Sequence, residues 1–90
     1  MNQYGQMAMR HWRKYRPDQF RQIQDPDTFF TDLGERISAE ITELAADLEG
    51  TPPDGESFLQ RVGRLNIARL SAQEQVLRET LPEAQQEDDA

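Results

Sequence analysis

Ninety residues with 36% hydrophobic and 30% charged content are enough for one domain, in which a chain this short buries only about 60% of its unfolded surface. There are no cysteines, which excludes disulfides and thiolate metal sites and suits a cytoplasmic location. No apolar run approaches the ~20 residues of a membrane span, and the first residues lack the apolar core and cleavage site of a signal peptide.

The net charge of −7 is unevenly spread. Residues 1–23 hold Arg10, Arg13, Lys14, Arg16 and Arg21 against Asp18, a balance of +4; residues 24–90 hold five arginines against sixteen acids, a balance of −11. Such polarity allows a basic face on an otherwise acidic chain.

The helical period predicts a first helix over about 3–16. Tyr4, Met7, Ala8, His11, Trp12 and Tyr15 share one arc, and the basic residues share the other. Pro17 ends or kinks it, because proline lacks a backbone donor and restricts its predecessor. Phe20 and Ile23 follow as a short apolar turn.

Asp25-Pro26-Asp27-Thr28 reads as a helix start: an N-cap, a proline at the first helical position and an acid near the positive end of the dipole. The second helix then runs over about 26–49. Its stripe is Phe30, Leu33, Ile37, Ile41, Leu44 and Leu48, and Gly50 suits its end.

Thr51-Pro52-Pro53-Asp54-Gly55 is a stiff connector of the length that joins antiparallel helices. The third helix is expected over about 56–81, stopping at Pro82. This helix has two apolar flanks: Phe58, Leu65, Ala72 and Val76 form one, and Leu59, Leu70 and Leu77 the other. Between them lies a polar seam, Asn66, Arg69 and Gln73, which is either a buried network fixing helix register or a partner site. Gly63 in mid-helix suggests close approach of a neighbouring helix. The two flanks make this third helix the expected centre, with the first helix closing its second side.

The expected fold is therefore all-α, a three-helix bundle built on a long antiparallel hairpin. Residues 1–82 form one helical domain and the acidic segment 83–90 a disordered tail.

Chemistry is sparsely signalled. His11 is the only histidine and cannot make a standard zinc site alone, so it is expected in the core with one hydrogen bond. Ser38, Ser57 and Ser71 lack a nucleophile-elbow context, and the glycines form no phosphate loop. No catalytic residue, metal, cofactor or small-molecule substrate is expected. The basic cluster Arg10, Arg13, Lys14 and Arg16 is the candidate for nucleic acid or another anionic partner. Glu35, Glu43 and Asp47 form a candidate acidic face that could mimic nucleic acid.

Two segments carry a resemblance. Tyr4-Gly5-Gln6-Met7 and the run Arg64-Leu65-Asn66-Ile67-Ala68-Arg69 through Leu81 resemble the TnpV-type small proteins encoded on bacterial transposons and other mobile elements. Gln6 stands where that family has a lysine, and Gln73 where it has an acid. The resemblance implies a mobile-element setting and no mechanism. The leading expectation is a non-enzymatic accessory protein acting through helix-face contacts with a protein partner or a second copy. The alternatives are a small DNA-binding regulator using the first helix and an acidic inhibitor of a host nuclease or defence complex.

Overall fold

A computed structural model describes residues 1–82, which form four helices and no strand among them. The expected tail, 83–90, lies outside the described residues.

Helix α1 spans Gln3–Tyr15. Asn2 caps it by accepting from the Gly5 N–H at 2.9 Å, and its amide donates to the Gly34 carbonyl at 3.0 Å. One side chain thus starts the helix and ties it to a neighbour. Arg13 and Lys14 fall in the last turn, where the dipole favours cations. Pro17 ends α1 and opens the six-residue α2, Pro17–Gln22. The apolar turn expected here is therefore a short helix.

Helix α3 spans Pro26–Glu49. Asp25 caps it through the Thr28 N–H at 3.3 Å and the Thr28 hydroxyl at 2.8 Å. These bonds, the side-chain one first, hold the Asp25 carboxyl below its ordinary pKa. Gly50 ends the helix at φ +63°, a conformation that glycine adopts without strain. Helix α4 spans Phe58–Thr80. It starts two residues later than the sequence suggests because Ser57 and Gln60 make a reciprocal capping box, at 3.1 and 2.9 Å.

The two long helices pair as an antiparallel hairpin, and α1 packs on α3. Helix α3 is therefore the centre, and this corrects the expectation that the last helix would be. The physical reason is the stripe of α3. Phe30, Ile37 and Ile41 are fully enclosed, and Leu33 and Ala45 nearly so. Each large side chain contributes roughly 1.5–3 kcal/mol of burial. From α4, Ala68, Ala72 and Val76 face this stripe; from α1, Tyr4 and Ala8 do.

Close approach of α1 and α3 depends on two glycines. A Cβ added to Gly5 would stand 2.5 Å from the Phe30 carbonyl oxygen, and one on Gly34 would stand 2.6 Å from the Gly5 nitrogen. Further along α1, Trp12 meets Phe29 and Phe30 edge-on, at ring distances of 6.3 and 5.7 Å. Phe20 of α2 stacks on Phe30 at 6.0 Å. Thus α1 lies over the first part of α3 only, with its own start at Gly34.

Three helices share a core at that end, and the far end of the hairpin is two helices alone. The outcome is elongated, 54 × 32 × 17 Å, with a radius of gyration of 16.5 Å, against roughly 12 Å for a compact domain of this length.

Candidate functional site

The bare end of the hairpin carries the most unusual surface. On a helical wheel, Ala68, Ala72 and Val76 set the direction that α4 turns to α3. Leu59, Gly63, Ile67 and Leu70 fall on the opposite side. These are large apolar side chains left in solvent: Leu59 is 78% exposed, Ile67 67% and Leu70 65%. Val62 at 38% lies beside them and Leu48 at 48% joins from the end of α3, while Phe58 at 76% is exposed on the other flank, in line with Val76. Isolated exposed leucines need no explanation, but a contiguous group on one end of a small chain does.

Beside this face runs a groove of about 550 Å³ between α3 and α4, lined by Leu48, Gln60, Gly63, Arg64, Ile67, Ala68 and Ser71. Gly63 sits on its rim, and a Cβ there would meet nothing within 4 Å. The expected close approach of a neighbouring helix at Gly63 is thus not made within the chain. Glycine in mid-helix costs about 1 kcal/mol relative to alanine, and no internal contact offsets that cost.

The first turns of α4 are fixed by an ion pair outside the usual helical spacings. Arg64 Nε and Nη2 donate to the two Glu56 carboxylate oxygens at 2.6 and 3.1 Å, and Nη1 donates to the Glu49 carbonyl at 2.7 Å. The fork geometry suits arginine. It clamps Glu56, just before the Ser57 cap, and the end of α3 to α4. The hydrogen bond from Arg64 holds the Glu56 carboxyl below its ordinary pKa, and the same bond raises that of Arg64. With its guanidinium bonded to Glu49 and Glu56, the charge that Arg64 brings to the groove is paired within the chain. The ion pair of Arg78 with Glu74 bounds the outward face toward the C-terminal end.

The polar seam is not inside. Asn66 and Arg69 are exposed and Gln73 is half-buried, and among the described residues none of the three makes a side-chain hydrogen bond. This corrects the buried-network expectation. The cause is the reach of α1: the side of α4 it was expected to cover is open. The second apolar flank is real, but only Leu77, near the three-helix end, packs against the core.

The basic cluster is partly engaged within the chain. Arg13 rests 5.2 Å from the centre of the Phe20 ring, Lys14 stands 5.1 Å from the Tyr15 ring, and Arg16 donates to the Tyr15 carbonyl at 2.8 Å. Arg10 is exposed. The candidate acidic face divides. Glu43 and Asp47 border a groove of about 300 Å³ together with Glu40 and Glu79, while Glu35 lies exposed elsewhere on α3. His11 is half-buried against the Tyr15 ring at 5.5 Å. Its Nδ1 is enclosed without a hydrogen-bond partner among the described residues, so the one bond expected of His11 is not made at Nδ1. Among the described residues no three His, Asp or Glu side chains are grouped to hold a metal, and no helix is long and apolar enough to cross a membrane.

Sequence reasoning found Leu59, Leu70 and Gly63 but assigned them to an internal neighbour. It gave Ile67 no role and missed the Glu56–Arg64 pair. The signal for the pair was weak, because Glu56 precedes the helix and stands eight residues from Arg64, outside the three- and four-residue spacings that wheel arguments use. No protein-family model, curated protein or solved structure matches the chain.

Proposed function

We propose that the chain is a non-enzymatic interaction protein whose working surface is the outward face of the first half of α4. One observation carries the reading: Leu59, Ile67 and Leu70 are each about two-thirds exposed or more on one helix face that no other part of the described chain covers. Exposed apolar groups concentrated in this way, free of charge at their centre and rimmed by polar residues, have the composition of an interface core. The face offers shape and apolar area and no group suited to bond-making. The mobile-element setting rests on the segment resemblance alone and adds a context in which such an accessory protein would work.

A photoreactive residue placed at Leu70 in cells tests this. Specific protein adducts are expected from Leu70, in excess of those from a control probe at the exposed Gln24, and fewer from a probe carried with Ile67→Arg. Labelling from Leu70 no greater than from Gln24 would overturn the reading.

A further inference from the structure

We propose that the occupant of this face is a second copy of the same chain, crossing α4 on α4 at Gly63 about a two-fold axis. The proposal rests on the interaction reading above and names its partner.

The first argument is the position of Gly63. It lies midway between the exposed Leu59 and Ile67 on the outward arc, with open space before it. A glycine is needed on a helix surface where another backbone comes closest. In a symmetric pair the point of closest approach lies on the two-fold axis, so Gly63 would meet its own counterpart.

The second argument is self-complementarity. Leu59 and Ile67 each stand four residues from Gly63, on opposite sides. An antiparallel two-fold at Gly63 brings Leu59 of each copy against Ile67 of the other. Residues 59, 63 and 67 also form one four-residue ridge, the row used in the commonest class of helix crossing. Nothing on the arc from Leu59 to Leu70 is charged, and Arg64 is held back by Glu56 and Glu49.

The third argument is area. An apolar side chain of this size covers about 60–120 Å². Leu59, Ile67 and Leu70, which share the direction of Gly63, therefore supply about 360–720 Å² of apolar area across two copies. That is below the roughly 1,200–2,000 Å² of stable specific interfaces and in the class of weak, concentration-dependent contacts. Residues 83–90 hold no apolar side chain larger than alanine and so offer none to match this face.

Sedimentation of the full chain from about 1 µM to 1 mM tests the association. Wild type should pass from monomer to dimer, while Ile67→Arg, with unchanged helix content by circular dichroism, should weaken association at least tenfold. Gly63→Leu should do the same, and Gly63→Ala should weaken it several-fold without loss of monomer stability. Because the chain has no cysteine, the register can be tested by mixing Leu59→Cys with Ile67→Cys under oxidation. A mixed disulfide exceeding either self-disulfide is expected; dominant self-disulfides would overturn the crossing at Gly63. A wild-type chain that stays monomeric to 1 mM while Leu70 probes still label other proteins would overturn the dimer and leave the interaction reading standing. Monomer with no labelling would overturn both.

Discussion

The same substitution, glycine to alanine within a helix, should change stability in opposite directions at Gly34 and Gly63. In each case alanine gains about 1 kcal/mol of intrinsic helix preference. At Gly63 the new Cβ meets nothing within 4 Å, so the gain should appear nearly whole, as about 0.5–1 kcal/mol of added stability. At Gly34 the Cβ would stand 2.4 Å from Asn2 Oδ1 and 2.6 and 2.8 Å from the backbone nitrogen and Cα of Gly5. The backbone atoms cannot swing aside. Restoring ordinary contact distances moves α1 outward by roughly 1 Å. Such overpacking costs about 1–3 kcal/mol, and loss of the Asn2–Gly34 hydrogen bond adds about 1 kcal/mol. The two variants should therefore differ by about 2–4 kcal/mol, a large part of the roughly 5–13 kcal/mol available to a chain of this length. Urea unfolding at low micromolar concentration, followed by circular dichroism, measures both. Emission from Trp12, which lies against Phe29 and Phe30, reports whether α1 stays docked. A Gly34→Ala chain as stable as wild type, or a Gly63→Ala chain less stable, would refute the geometry.

Three further outcomes follow from the packing and the charges. Ile41→Ala empties a fully enclosed site on α3 and should cost about 2–5 kcal/mol, read as a lower urea midpoint; a loss under 1 kcal/mol would place Ile41 outside the core. The Glu56 carboxyl is held below its ordinary pKa of 4.5, first by the hydrogen bond from Arg64, so its contribution is full above that value and lost as pH falls through the lower folded one. Glu56→Gln should thus be less stable than wild type at neutral pH, with the gap closing as pH falls below 4.5; a gap independent of pH would remove the ion pair as its cause. Two copies with a net charge of −7 each repel, so salt should strengthen association through an apolar face, whereas binding of phosphates by Arg10, Arg13, Lys14 and Arg16 would weaken with salt; salt titrations of sedimentation and of duplex binding read the two signs.

Much of the fold is written locally, and what is local was legible. The Asp25-Pro26 start, the Gly50 end and the stripe Phe30, Leu33, Ile37 and Ile41 follow from capping chemistry and the helical period. The period also identified two apolar flanks on the last helix. It could not say what covers each flank, because an amphipathic pattern gives a direction and no partner. Leu48 shows the difference: it continues the stripe of α3 in sequence, yet it is about half exposed where no third helix covers that end. Helix length bears on what is covered. The thirteen residues of α1 span about 20 Å, against about 35 Å for α4. A helix that short leaves part of the hairpin uncovered wherever it docks. The glycine pair Gly5 and Gly34, with the Asn2 tether, then decides that it docks on the first part of α3.

That docking position links the stability of the chain to its surface. Tyr4, Trp12 and Phe20 gather around Phe30 and concentrate aromatic burial at one end. The other end is held by the small contacts of Ala45 and Ala68 and by the clamp of Arg64 on Glu56 and Glu49. A two-helix end with few enclosed side chains is the part that opens first under thermal fluctuation. Covering Leu59, Ile67 and Leu70 with a second copy would bury apolar surface at that weak end. By mass action, the stability of the hairpin tip would then rise with chain concentration. The exposed face and the weak end are one structural fact: the apolar pattern of α4 extends beyond what the other described residues cover.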